Sequence, residues 1–222
     1  RKFEEINWKE YLNQEKNITL PNSNIAIHLI KALLWLPLTL YIRVKKSGIE
    51  NIPNDRPVIF AGNHQSFLDA FIFGYATPFK YLVNSYSLAK IKHFNKGYLK
   101  FLANHSNVVL VDINKNLGEV LQTMAKVLKE GKNIVIFPEG ARTRDGEMLE
   151  FKKAFAILAK EMEVDIVPFG IRGAYEAFPA NSKLPKPAQV EIKYFEPISS
   201  KDKSYEEIVQ ETRDTLIKWV GK

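Results

Sequence analysis

The segment Asn63-His64-Gln65-Ser66-Phe67-Leu68-Asp69 places a histidine and an aspartate five positions apart. On a regular helix such residues point about 140° away from each other. They meet only if His64 lies in a loop and Asp69 in the first turns of the helix that follows. A carboxylate bonded to one imidazole nitrogen would then fix the tautomer and leave the other nitrogen as a base. Such a base is suited to removing a proton from an alcohol near neutral pH. The plain alternative is a histidine capping a helix beside a helix-start carboxylate, and spacing alone leaves both open. Ser66 is not enclosed in a Gly-x-Ser-x-Gly turn, and a histidine two residues upstream is poorly placed to activate it. Neither His28, His93 nor His105 completes a recognisable ligand spacing with this pair, so no metal is expected.

A second stretch, Pro138-Glu139-Gly140-Ala141-Arg142-Thr143-Arg144-Asp145-Gly146, combines two glycines with two arginines, and Lys152-Lys153 follow. Guanidinium groups bind phosphate bidentately, and glycine lets the backbone approach an anion. Glu139 needs a partner there, either a neighbouring arginine or a substrate hydroxyl. A charged surface hairpin is the plain alternative.

Both stretches follow short apolar runs that read as buried strands, 57–62 and 133–137. Around them strands and helices alternate: a helix over 67–77, a strand over 80–84, and a helix carrying Lys92, Lys96 and Lys100 to about 103. A strand over 107–111, a helix over 117–130 stopped by Gly131, and a helix over 151–162 come next. Strands over 166–171 and 189–195 and a closing helix over 205–220 complete the pattern. The pattern predicts an α/β fold with a mostly parallel mixed sheet flanked by helices. Sites in such sheets gather beyond the carboxyl ends of strands.

Ahead of this α/β domain (48–222), residues 1–47 read as a helical segment: a short charged helix over 3–16, then a long apolar stretch over 25–44 opened by Pro21-Asn22-Ser23-Asn24. His28, Lys31, Pro37 and Arg43 argue against a membrane span. On a helical wheel Asn24, His28, Lys31, Trp35, Thr39 and Arg43 form a narrow stripe, with apolar residues elsewhere. A helix lying in a membrane interface and a helix packed on the core with one wet edge both fit. Pro37 should kink or end it.

The 222 residues contain no cysteine, which excludes disulfides, thiolate zinc sites and cysteine nucleophiles and suits a reducing compartment. A formal net charge of +7 favours an anionic partner such as acidic lipid headgroups or a phosphorylated substrate. No aromatic cluster lies within a basic face, so nucleic acid is not expected. The polar start, 1–16, lacks a signal-peptide layout, and Arg rather than Met at position 1 fits a processed protein or a piece cut from a longer one.

Residues 48–74 and 131–171 together resemble the glycerophospholipid acyltransferase family, of which lysophosphatidate acyltransferases are the best known. Gly48-Ile49-Glu50-Asn51-Ile52-Pro53 looks like the lead-in to that family's first motif, and Asn63 to Asp69 matches the motif itself. Phe137-Pro138-Glu139-Gly140-Ala141-Arg142-Thr143 matches the third, and Ile166-Val167-Pro168 resembles the fourth. The resemblance implies that His64 is the general base and Asp69 its orienting partner. It implies that Glu139, Gly140 and Arg142, with Thr143 in the same motif and Lys152 nearby, bind the glycerol-phosphate part of an acceptor. The implied reaction moves a fatty acyl group from acyl-CoA or acyl-carrier protein, used as co-substrate without a cofactor, to the free glycerol hydroxyl of a lysophospholipid. It implies a peripheral membrane protein at the cytoplasmic face. Two departures stand out: Ile113 where the second motif usually ends in Arg, and Phe151-Lys152-Lys153-Ala154 where Phe-Lys-x-Gly is frequent. They leave the acceptor open between 1-acylglycerol-3-phosphate and related lysophospholipids. The resemblance extends to the acyltransferase half of lysophosphatidylethanolamine acyltransferase/acyl-ACP synthetase fusions, which would add an acyl-activating domain as a partner. The alternative from another class is a non-catalytic lipid- or carrier-binding domain on the same fold; an intact His64–Asp69 pair counts against it.

Overall fold

The computed structural model describes residues 6–14, 20, 25–90, 106–111 and 117–221. Among them, seven strands form one sheet in the order β1-β7-β6-β2-β5-β3-β4. These are β1 (Lys45–Ser47), β2 (Val58–Gly62), β3 (Ser85–Lys90), β4 (Val108–Val111), β5 (Asn133–Ile136), β6 (Asp165–Arg172) and β7 (Glu191–Tyr194). Neighbours are parallel except β6 and β7, so the sheet is mostly parallel and mixed. The helices are α1 (Trp8–Asn13), α2 (Ile25–Leu36), α3 (Asp69–Ala76), α4 (Phe79–Leu82), α5 (Leu117–Lys129), α6 (Ala154–Glu161), α7 (Ala174–Ala177) and α8 (Tyr205–Val220).

Every residue of β2 is buried, and its alternating side chains feed two cores. Ile59 and Ala61 join Leu121, Phe155 and Ile208 of α5, α6 and α8 on one face. Val58 and Phe60 join Ile72 and Phe73 of α3, with Phe169 and Tyr194, on the other. From β2 the chain runs through α3 to β3, beyond β5; from β5 it runs through α6 to β6, beyond β2. Adjacent strands thus send their chains to opposite faces, and the loops that follow them lie at the strands' carboxyl ends, where folds of this kind gather their sites.

Two sequence expectations are corrected. Residues 80–84, expected as a strand, instead belong to the helical turn α4 and its exit. Pro78, with its fixed φ, opens that turn and its carbonyl accepts from the N–H groups of Tyr81 and Leu82. The strand begins at Ser85, just after the Asn84 carbonyl accepts from the Asn133 N–H. The edge strand β1 was not expected: three exposed residues, two of them lysine, carry no apolar alternation, as short charged edge strands do not. The helix expected around Lys92, Lys96 and Lys100 lies outside the described residues, as does Ile113.

Helix α2 ends in a π-turn over Pro37–Tyr41, and the Ile42 N–H bonds the Pro37 carbonyl. Part of its polar stripe turns toward the protein, while His28, Trp35 and Arg43 keep much of their surface exposed. Lys31 Nζ donates to the Thr77 carbonyl at 2.7 Å, Thr39 Oγ1 meets Tyr75 Oη at 3.0 Å, and the His28 ring lies 4.1 Å from that of Phe79. Leu34, Leu38 and Ile42 pack on the core beside them. Consequently Leu29, Leu33, Leu36 and Leu40, at i, i+4, i+7 and i+11, face outward with more than half of each exposed, and Trp35 with them. A wheel identifies the stripe but not which side meets the domain. Among the described residues no helix is long and apolar enough to cross a membrane.

At Gly62 a Cβ would lie 2.3 Å from the Phe169 ring, which is fully buried and packed against Phe73, Phe137 and Tyr194. Gly62→Ala must displace that ring. It is expected to cost about 1–3 kcal/mol in denaturant unfolding, and an unchanged midpoint would remove the packing argument.

Candidate active site

Asn63, immediately after β2, continues the ladder with its side chain. Its Nδ2 donates to the Ile171 carbonyl and its Oδ1 accepts from the Ile171 N–H, both at 2.7 Å. The amide takes the place of a strand residue's backbone and fixes where the next residue, His64, leaves the sheet. His64 lies in the loop, and Asp69 is the first residue of α3. Ser66 to Asp69 forms half of a capping box, because Asp69 Oδ2 accepts from the Ser66 N–H at 2.7 Å. The same oxygen lies 2.8 Å from His64 Nδ1.

These contacts assign the tautomer. Oδ2 already accepts from Ser66, so it serves as an acceptor; Nδ1 carries the proton and Nε2 keeps its lone pair. Asp69 is fully buried, which raises its carboxyl above the usual range, while His64 and backbone N–H donors pull it back down. The His64 side chain is 23% exposed, enough to be reached from outside. Its ring stacks on Phe137 at 4.4 Å and 21°, and Phe137 meets Phe169 edge-on at 5.8 Å. The imidazole therefore rests on the aromatic core above Gly62.

The loop after β5 closes on the same residue. Glu139 is buried, and it turns inward. Its Oε1 accepts from the His64 N–H at 2.6 Å and its Oε2 from the Leu149 N–H at 2.8 Å. Burial pushes this carboxyl up to about 6, against the two N–H bonds that favour its ionised form. The Thr143 N–H donates to the His64 carbonyl at 3.0 Å. The backbone of His64 is thus bonded on both sides by one loop. Thr143 is itself buried, its hydroxyl donating to Asp145 Oδ1 and accepting from the Gly146 N–H.

Gly140 adopts φ +71°, and a Cβ there would lie 2.7 Å from Lys152 Nζ, so the ammonium hangs over the bare backbone at this turn. Arg142 is exposed, with its guanidinium carbon 6.0 Å from the centroid of the Phe67 ring on the first loop. Ser66 Oγ donates to the Phe178 carbonyl at 2.8 Å and accepts from the Leu68 N–H at 3.1 Å, so it is turned into local structure.

The structure brings His64, Asp69, Glu139 and Thr143 into one bonded unit and sets Gly140, Arg142 and Lys152 on its open side. Sequence reasoning gives no role to Asn63 as an anchor or to Phe137 as a platform. The one available signal was an asparagine directly after an all-buried strand.

The sequence profile of the acyltransferase family matches residues 43–172, which include both loops and β2 to β6. A 1-acyl-sn-glycerol-3-phosphate acyltransferase of Cocos nucifera is 32% identical over 150 residues, covering 68% of this chain and 48% of that protein. One from Borreliella burgdorferi is 34% identical over 143 residues, covering 63% and 54%. The chain spans about half the length of these relatives. The crystal structure of the 1-acyl-sn-glycerophosphate acyltransferase PlsC from Thermotoga maritima superposes with a TM-score of 0.74 at 28% identity, covering 88% of this chain and 78% of that one.

Proposed function

The chain belongs to the acyltransferase family, and from that premise we propose that it moves a fatty acyl group from acyl-CoA or acyl-carrier protein to the free glycerol hydroxyl of a lysophospholipid, 1-acylglycerol-3-phosphate or a related acceptor. The observation that carries this reading is the His64–Asp69 contact, 2.8 Å from Nδ1 to the carboxylate, on a side chain that stays 23% exposed. His64 Nε2 takes the proton of the acceptor hydroxyl as its oxygen bonds to the thioester carbonyl carbon. The tetrahedral oxyanion collapses, the C–S bond breaks, and the imidazolium returns its proton to the departing thiolate. No acyl-enzyme intervenes, since the Ser66 hydroxyl is engaged by Phe178 and Leu68.

Arg142 and Lys152, on the open side of the loop, meet the acceptor's anionic headgroup. Gly140 permits its close approach. Glu139 and Thr143 act from behind, on the backbone of His64. The outward row of leucines on α2 supports a peripheral protein lying on a lipid surface, here placed at the cytoplasmic face.

The test is transfer of label from acyl-CoA and acyl-carrier protein to a panel of lysophospholipids. Arg142→Ala is expected to raise KM for anionic acceptors about tenfold or more, the scale of a lost charge-assisted bond, with little change for the donor. Label that reaches no lysophospholipid would favour a binding domain instead.

A further inference from the structure

The segment 178–188 leads from the catalytic loop to the end of the π-turn. At its start the Phe178 carbonyl accepts from Ser66 Oγ, and the Phe178 ring lies 6.4 Å from that of Phe67. At its end the Ala188 N–H donates to the Tyr41 carbonyl, and Tyr41 Oη donates to the Pro185 carbonyl at 3.1 Å. Between them the Lys186 N–H bonds the Ala177 carbonyl at 2.7 Å, and Ser182 Oγ bonds the Leu184 carbonyl at 2.8 Å. The strap is therefore held in shape at both ends and at its tip.

At that tip Leu184 is 75% exposed. The next residue, Pro185, is bonded through its carbonyl to Tyr41, which follows Leu40 and like it is exposed, so the chain at Leu184 is tied to the end of the apolar row. Charge points the same way. Residues 25–49 carry Lys31, Arg43, Lys45 and Lys46, residues 178–190 carry Lys183 and Lys186, and neither stretch contains Asp or Glu. Lys31 is turned inward to Thr77, but Lys183 and Lys186 are exposed on either side of Leu184. An apolar tip between two cations fits an anionic bilayer, where the leucine enters the acyl boundary and the ammonium groups stay with the headgroups.

We infer that the strap 178–188 is a second lipid-contacting element, which seats Leu184, Lys183 and Lys186 on an anionic bilayer and sets the catalytic loop at its surface. The inference rests on the reading of the acceptor as a membrane lipid. Its consequence is that Phe67, three residues after His64, 58% exposed and in ring contact with Phe178 at the start of the strap, would lie close to the bilayer with it. A lipid acceptor would then pass from the membrane to the base without crossing water.

The experiment uses the full chain with vesicles of equimolar phosphatidylglycerol and phosphatidylcholine, and with vesicles of phosphatidylcholine alone. Leu184→Asp and, separately, Lys183→Glu with Lys186→Glu are compared with Leu33→Asp on α2. Leu184→Asp is expected to lower partitioning onto the anionic vesicles about tenfold, the scale of burying one leucine. The double charge reversal should abolish the preference for anionic over neutral vesicles. Transfer to a short-chain, monomeric lysophospholipid should be unchanged in both. Partitioning by Leu184→Asp equal to the parent, while Leu33→Asp loses it, overturns the inference, as does failure of the parent to bind either vesicle. Loss of transfer to the monomeric acceptor by the parent itself would bear on the acyltransferase reading alone, since vesicle partitioning is scored without turnover.

Discussion

His64→Ala is expected to lower turnover by roughly 10³-fold or more in a purified assay with labelled acyl-CoA, while the thermal midpoint stays close to that of the parent. The position of the loop does not depend on the imidazole. The loop is held through the backbone of His64, whose N–H bonds Glu139 and whose carbonyl accepts from Thr143, and those bonds survive in alanine. What is lost is the nitrogen that receives the acceptor's proton. Asp69→Asn should approach the same loss by another route. An asparagine oxygen that still accepts from the Ser66 N–H is the same atom that meets Nδ1, so the tautomer survives, but the negative charge that stabilises the imidazolium is lost. Because the two residues act as one unit, the double variant should be scarcely worse than either single one. Activity of His64→Ala within tenfold of the parent would remove the base from the mechanism.

The second large effect is expected at Glu139, through position and not through substrate. Both of its oxygens accept backbone N–H bonds, one from each end of the clasp. Glutamine can accept only one and must turn its NH₂ against the other. Glu139→Gln should therefore lower kcat by about 10- to 100-fold, the scale of one lost bond to a charged acceptor, with a smaller change in KM. A variant that loses KM and keeps kcat would place the carboxylate on the acceptor instead. Proton linkage gives an independent readout. A carboxyl raised on folding stabilises the fold below its unfolded value and loses that contribution as pH climbs through its folded value. For Glu139 the window runs from 4.5 to about 6, and the gap corresponds to about 2 kcal/mol. The parent should therefore lose more than half of that stability relative to Glu139→Gln between pH 4.5 and 6, and the rest on either side of the window, measured by urea unfolding. Parallel stability curves for the two proteins would contradict the buried, ionising carboxylate. Over the same window the clasp gains its second acceptor, so local order at His64 and global stability move in opposite directions.

The parts of this architecture that sequence makes legible are those governed by local periodicity. The run Val58–Gly62 is apolar at every position because both faces of β2 are covered, and Ser204 with Glu207 forms a full capping box at the start of α8. The loops bearing His64 and Glu139 were identifiable because each follows such a strand. What sequence conceals is set by partners distant in the chain. The orientation of α2 depends on Thr77 and Tyr75, about 40 residues away in the chain, and β1 exists only because β7 passes beside Lys45 to Ser47. The inward turn of Glu139 is of the same kind. A carboxylate among arginines reads as an ion-pair partner or a substrate ligand, and nothing local says that the backbones of His64 and Leu149 will claim both its oxygens.

The four outward leucines of α2 and the π-turn after it form a row only while Lys31 and Thr39 hold the helix against the domain. An amphiphile that covers this row binds the native chain and not the unfolded one, and it raises the free energy of unfolding in proportion to the logarithm of its concentration over its dissociation constant. The thermodynamic state of this protein is then a joint property of chain and surface. On the proposed membrane reading, a melting temperature recorded in plain buffer describes the fold with that ligand withdrawn.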